Sequence, residues 1–209
     1  MLVHGARLAE LTDDDKQVLR ATLGRDHVAL VPRLLCGDAL ERVLAGVRDA
    51  TFVENYIPAT SRREQIMDDE PTSALLWYLA SDPLLHRLVE ALFDCERVTA
   101  FGGRTYRMVP GSGHVGDWHT DTIDGRVAAL SINLSEQPFD GGTTMVRDEA
   151  TKRVIAEAGG SDMRPGDALL LRLRPDLAHR VCEVTGTEPK TSYAGFFKAG
   201  PRSPLNPSA

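Results

Sequence analysis

Cysteine is scarce in this chain and does not pair off. The 209 residues hold three, Cys36, Cys95 and Cys182, widely spaced and without a CxxC. An odd, scattered set argues against a disulfide framework and a structural zinc site, and a reducing cytoplasm is the setting expected. An excess of positive charge is lacking too. Lys and Arg number 24 against 30 Asp and Glu, a formal net charge of −6, and no basic run stands out. Such a chain repels nucleic acid and anionic lipid, so neither is expected as a partner, while a local basic pocket for a small anion stays open. No apolar run approaches the roughly 18 residues of a membrane-spanning helix. The start, MLVHGARLAELTDDD, has no basic region followed by an apolar core and does not read as a secretory signal. No internal repeat is visible.

What is present is ordinary globular composition, 42% hydrophobic and 26% charged. The length fits one domain of the larger all-β or mixed kind, or at most two small ones. It suffices to bury a sizeable core without disulfides.

The N-terminal half reads as mainly helical. LTDDDKQVLRATL (11–23) forms a first helix, capped by Thr12, with Asp13 to Asp15 where the helix dipole favours negative charge. HVALVPRLL (27–35) is a short strand, with Pro32 marking an edge or an exit. Asp38 is expected to cap a second helix that places Leu40, Val43, Leu44 and Val47 on one face. The polar stretch 60–70 reads as a loop. Pro71 opens a third helix through Leu79. Ser81-Asp82-Pro83 stops the chain and restarts it as PLLHRLVEALFD.

Near residue 97 the character changes. VTAFGGRTYRMV, RVAALSINLS, GGTTMVRD, KRVIAE, GDALLLRL, HRVCEVT and KTSYAGFF read as short strands. PGSG, DGG, AGG, RPGD and TGTEP separate them. This spacing implies a β-sandwich or barrel with the helices backing one sheet. The last segment, AGPRSPLNPSA (199–209), reads as a flexible tail.

His119 and Asp121 form a His-Thr-Asp triplet. In an extended segment positions i and i+2 point to one face, so both side chains can aim at one point. Imidazole and carboxylate suit a borderline divalent metal, and His179, at the head of a later strand, is the best third ligand. Two histidines and one carboxylate on one side of a metal leave positions open, the facial triad of non-haem Fe(II) oxygenases. A triplet of this kind also occurs by chance in surface turns.

The surroundings of the three residues narrow the choice. TYRMVPGSGHVGDWHTD resembles the strand, Pro-Gly turn and HxD segment of the 2-oxoglutarate/Fe(II) dioxygenases, in their prolyl-hydroxylase-like branch. RVAALSINLSEQPFDGG is similar to the next strand and acidic-Gly-Gly turn of that family. GDALLLRL followed by His179 resembles its Gly-Asp strand and distal histidine, and HVALVPRLLCGDALERVLAGV its leading strand and helix. The resemblance spans about residues 27–198.

The resemblance implies a double-stranded β-helix, or jelly-roll, with the metal in the barrel mouth. One dioxygenase domain over residues 1–198 follows, with a helical N-terminal portion (residues 1–96) and a jelly-roll core (residues 97–198). It implies Fe(II) held by His119, Asp121 and His179, with 2-oxoglutarate and O2 as co-substrates. It also implies a basic residue on a late strand for the distal carboxylate of 2-oxoglutarate. In much of the family this is arginine; the matching stretch here, Gly186 to Ser192, puts Lys190 there. Lysine offers a point charge where arginine offers a bidentate fork. Lys190 and Ser192 share a strand face and could together hold a carboxylate. Arg180, the rival, neighbours His179 and should point away from the metal.

Other residues carry blander readings. Trp118 and Met108 read as packing, as does Tyr106, although the last two share a face that could line a pocket. Asn133 and Thr144 are candidate pocket polar groups. His114 reads as a solvated loop histidine. His4, His27 and His86 read as structural, and Cys182 as a small buried side chain.

The activity implied is hydroxylation of an unactivated C–H bond, with 2-oxoglutarate converted to succinate and CO2. Asp121 favours hydroxylation or desaturation over halogenation, since related halogenases lack this carboxylate. A small molecule, a free amino acid or a biosynthetic intermediate, is the substrate expected, with segments 54–70 and 111–117 as its lid. Hydroxylation of a peptidyl or prolyl residue is the alternative. A metal-binding jelly-roll sensor without turnover and a zinc hydrolase on the same ligands are rivals of other classes. Oligomeric state stays open, with a homodimer among the options.

Overall fold

The computed structural model describes residues 11–58 and 62–200. His4, the tip of the expected lid at 59–61 and most of the expected tail (201–209) lie outside the described residues.

Four helices come early. α1 (Asp13–Arg25) opens on a capping box: Thr12 Oγ1 accepts from the Asp15 amide, and the Asp15 carboxylate accepts from the Thr12 amide. α2 (Gly37–Asp49) differs from expectation at its start. Cys36 occupies the cap position without a side-chain bond, and Asp38 lies inside the first turn, where it meets the positive end of the helix dipole instead. α3 (Glu70–Ala80) and α4 (Pro83–Phe93) are each capped by an aspartate, Asp69 and Asp82, with a proline in the first turn.

A seven-stranded antiparallel sheet carries these helices on one face. Its strands are β1 (Val28–Val31), β2 (Thr51–Ile57), β3 (Arg62–Asp68), β4 (Val98–Met108), β5 (Arg126–Asn133), β9 (Ala168–Arg172) and β12 (Lys190–Ala199). They lie in the order β1-β9-β5-β12-β4-β3-β2. Facing it is a smaller sheet of β7 (Thr144–Asp148), β8 (Val154–Ala158) and β10 (Leu177–Val181), in the order β10-β7-β8. A short pair, β6 (Asp140–Gly141) with β11 (Val184–Thr185), closes one end. This is the jelly-roll expected, mainly β with the helices backing one sheet.

Two strands depart from expectation. β3 forms over residues that read as polar loop, and it pairs as a hairpin with β2, which no reading of the sequence places. Their residues pair from Thr51↔Asp68 to Ile57↔Arg62, and Gln65 and Ile66 of β3 pair with β4. The hairpin sits at the sheet edge, with most of β2 exposed or half-exposed. An edge strand of this kind lacks the apolar alternation that betrays a half-buried one.

The packing follows strand parity. On β9, Ala168 and Leu170 join the core beneath the helices, while Leu169 and Leu171 join a second core between the sheets. Burial on both faces explains why this strand is apolar throughout. On β12, Tyr193 and Phe197 enter the helix-side core and Phe196 packs against the inter-sheet one.

Candidate active site

His119 and His179 face each other in an isolated antiparallel bridge. Each backbone amide donates to the other's carbonyl, at 3.1 and 2.8 Å. Residues directly opposite in such a pair project to the same side, and the two imidazole rings lie 4.4 Å apart. Asp121 completes the group. Its Oδ2 is 3.3 Å from His119 Nε2 and 3.6 Å from His179 Nε2. The three ligand atoms lie within 4.8 Å of one another.

The reason Asp121 joins them differs from the parity argument. The chain after His119 is not a strand, and Asp121 has a left-handed backbone, φ 53°. That turn, not extended alternation, swings the carboxylate back over the histidines. Such a conformation is uncommon for a residue with a Cβ, and aspartate is among those that tolerate it.

The donor set fits a divalent metal. His119 Nδ1 lies 2.8 Å from the Asp117 carbonyl. A carbonyl only accepts, so Nδ1 carries the proton and Nε2 turns its lone pair to the site, the usual arrangement behind a metal-binding histidine. Asp121 Oδ1, the oxygen farther from the histidines, is 3.4 Å from Arg126 Nη1. Burial pushes the Asp121 carboxyl up, but with no cation between them the His119 and His179 rings, when protonated, outweigh it by hydrogen bonds and charge and hold the group well below the usual carboxylate range.

Trp118 anchors this segment from outside. Its ring packs against two guanidinium groups, Arg147 at 4.4 Å and Arg180 at 4.8 Å. Trp118 is therefore packing, as expected. Arg180 points away from the metal group, and its Nη2 lies 3.6 Å from Met145 Sδ.

A cavity of about 440 Å³ opens beside the triad between the two sheets. Its inner end is marked by Tyr106, Thr144, Val181 and Ala194. Lys190 and Ser192 do not line it. They lie farther along the same face of β12, opposite Met108 and Tyr106 of β4. Lys190 is 2% exposed, and its Nζ donates to the Gly142 carbonyl at 2.5 Å. Gly142 has φ 60°, and a Cβ there would come within 2.8 Å of the Lys190 stem. The acidic-Gly-Gly turn thus makes room for the lysine. Ser192 Oγ is buried with no hydrogen-bond partner. A buried hydroxyl left in that state normally costs free energy, and a ligand oxygen would relieve it.

The other candidates divide. Thr144 lines the cavity, whereas Asn133 is tied to the Met163 carbonyl and the Ser135 amide and serves structure. Tyr106 lines the cavity, and Met108 packs against it in a small buried cluster. His114 is not solvated. It is 2% exposed, accepts from the Val109 amide at 2.8 Å and lies 3.3 Å from Glu54 of β2. The glycine-rich loop folds the ring inward to staple itself to the hairpin. Arg126 and Lys198 also line the cavity, and sequence reasoning does not single them out. Only the pairing of β5 with β12 brings them together, and no local pattern signals it. Cys36, Cys95 and Cys182 are free thiols.

Comparison with known proteins agrees with this geometry. Residues 103–198 match the sequence model of the 2OG-Fe(II) oxygenase superfamily. No curated protein matched. Among solved structures, a Pseudomonas putida prolyl-4-hydroxylase aligns over 89% of this chain and 100% of its own at 18% identity, with a TM-score of 0.64. SnoN, a non-haem α-ketoglutarate-dependent epimerase from nogalamycin biosynthesis, aligns over 90% and 84% at 18% identity, with a TM-score of 0.65. A Trichoplax adhaerens prolyl hydroxylase, solved with a hypoxia inducible factor peptide fragment, aligns over 88% of both chains at 14% identity, with a TM-score of 0.62. At these identities the structures speak for the fold. The matched segment contains the whole His-Asp-His group and the strand that carries Lys190. Residues 103–198, the segment that carries the His-Asp-His group, are those of a 2OG-Fe(II) oxygenase, a dioxygenase that works with Fe(II), 2-oxoglutarate and O2.

Proposed function

We propose that this enzyme hydroxylates a C–H bond of a small molecule, with His119, Asp121 and His179 as the iron ligands and Lys190 and Ser192 as the anchor of 2-oxoglutarate. The observation that carries the assignment is the convergence of three ligand atoms on the wall of a cavity that also reaches Tyr106 and Ala194, beside the strand of the buried Lys190. In this reading the Lys190 ammonium takes the distal carboxylate of the co-substrate in place of the Gly142 carbonyl. Ser192 Oγ donates the second bond. Apolar Leu169, Leu171 and Phe196 keep water from the reacting face. Bound iron would supply activation of O2, with 2-oxoglutarate ending as succinate and CO2 and the substrate gaining one oxygen atom.

A small substrate is favoured by the size of the cavity between the sheets, about 440 Å³. The helical portion and the jelly-roll act in this proposal as one domain, because the helices cover the very sheet whose other face carries the site. Anaerobic titration with Fe(II) and 2-oxoglutarate tests the centre. A visible charge-transfer band is expected, and its absence at saturating concentrations would refute the assignment. A succinate-release screen over amino acids, peptides and acyl compounds tests the substrate. Selective coupling to a peptide would overturn the small-molecule reading.

A further inference from the structure

The outer end of the same cavity carries charge that the metal centre does not account for. Arg104, Arg126 and Lys198 all line it. Arg104 is already matched, since Glu64 of β3, wholly buried, accepts from its Nη2 at 2.6 Å. Arg126 and Lys198 are different. They sit directly across from each other on neighbouring strands, in the Lys198↔Arg126 register of β12 and β5. Like charges placed opposite in a sheet are destabilising. Lys198 has no ion-pair partner among the described residues. Arg126 touches one carboxylate, Asp121, through Nη1 at 3.4 Å, and its Nε is buried with no hydrogen-bond partner. Its guanidinium is held over the Phe196 ring, 4.1 Å from the centre, which restricts the directions in which it donates.

Space lies beside this pair. Gly102 of β4 is opposite Phe196, and a Cβ built on it would meet nothing within 4 Å. Its backbone carries no positive φ, so no turn demands a glycine here. Leu169, Leu171 and Ala129 supply an apolar wall.

We infer that Arg126 and Lys198 form a substrate subsite for an organic oxyanion, a carboxylate or a phosphate ester, whose apolar body lies over Gly102 beside Phe196. The subsite is separate from Lys190, at the opposite end of the inward face of β12. A small anion held there sits in the same cavity as the metal group, because Arg126 reaches both. An overall acidic chain that gathers cations in excess of carboxylates at one end of a cavity selects for anions locally while its net charge repels them elsewhere. The inference rests on the small-molecule reading and names its substrate class.

The test uses the protein loaded anaerobically with Fe(II) and saturating 2-oxoglutarate, so that the Lys190 end is filled. Hexanoate, hexyl phosphate and hexanamide are titrated in, with binding read by calorimetry and by the change in the charge-transfer band. One or both anions should bind at least about tenfold tighter than the neutral amide, the size expected for a charge-assisted hydrogen bond. Which anion wins identifies the group. Lys198→Met and, separately, Arg126→Gln should each erase most of that preference, while Gly102→Val should weaken all three probes alike by filling the floor. The affinity for 2-oxoglutarate, from the same titrations, is the internal control. Equal binding of anions and amide, no binding of any probe, or a preference untouched by Lys198→Met overturns the subsite. Loss of the charge-transfer band in the unsubstituted protein would instead overturn the iron and 2-oxoglutarate reading.

Discussion

The two faces of β4, β5 and β12 differ sharply, although their residues alternate along the same strands. Toward the helices these strands present Phe101, Leu130, Ile132, Tyr193 and Phe197, all buried and packed ring on ring or on aliphatic chains. Toward the smaller sheet they present Gly102, Arg104, Ala129, Ser131, Ala194 and Lys198 around a cavity. A residue one position along thus belongs to a different trade. The helix side provides the burial that keeps the sheet folded; the inner side gives burial up to hold charge, polar groups and open space. Stability and chemistry should therefore separate by parity, and substitutions can test that separation.

The largest effect is expected on the inner side. Asp121→Ala should lower coupled succinate formation by more than about 100-fold, beyond what outer partners of a metal ligand are worth, with iron content falling in parallel. Full activity with full iron would remove Asp121 from the ligand set. On the helix side, Phe197→Ala should cost about 3–5 kcal/mol in denaturant unfolding, while the folded protein keeps its affinity for 2-oxoglutarate. A variant that lost both together would show that the faces are not independent. Back inside, Lys190→Met should raise the KM for 2-oxoglutarate about 10- to 100-fold with little change in kcat at saturation, as loss of a charged hydrogen bond predicts. An unchanged KM would move the anchor elsewhere.

Gly102 and Gly103 give the sharpest version of the contrast. A Cβ on Gly103 would lie 2.8 Å from the Ala194 carbonyl and 2.9 Å from the Phe101 ring, whereas one on Gly102 meets open space. Gly103→Ala should cost about 1–3 kcal/mol, and Gly102→Ala should stay within about 0.5 kcal/mol, both measured by thermal unfolding. Equal costs would break the parity argument. The smallest effect is a pH dependence. Burial holds His86 below its ordinary pKa, edge-on to Phe197. Its folded pKa is depressed, so its contribution is present above the unfolded value of about 6.5 and is lost as pH falls toward the lower folded value. His86→Gln should flatten that acid limb of the melting temperature; an unchanged limb would assign it to other groups.

Much of this is legible along the chain because it is local. Thr12 and Asp15 form a cap within one turn, and β9 announces its double burial by an unbroken apolar run. His119, Asp121 and His179 can be picked out by ligand type and by what surrounds them. What stays hidden depends on contacts across sequence. β3 is largely polar and β2, at the sheet edge, leaves Val53 and Tyr56 exposed, so no apolar alternation betrays the hairpin. His114 turns inward only because Glu54 and the Val109 amide receive it. Arg126 and Lys198 lie far apart in the chain and meet through strand register. Even for His119, Asp121 and His179, which do converge, the sequence supplies an incomplete reason, since a left-handed turn at Asp121 does what extended alternation was expected to do.

That turn has a consequence for how the centre could change. The backbone at position 121 is one that glycine adopts more readily than aspartate. Removing the carboxylate by Asp121→Gly would therefore relax the loop while vacating one coordination position, and the two histidines would stay paired by their own backbone bridge. The scaffold is thus pre-adapted to lose the acidic member of its proposed ligand set without unravelling, and a single substitution would reach a backbone that already accepts it.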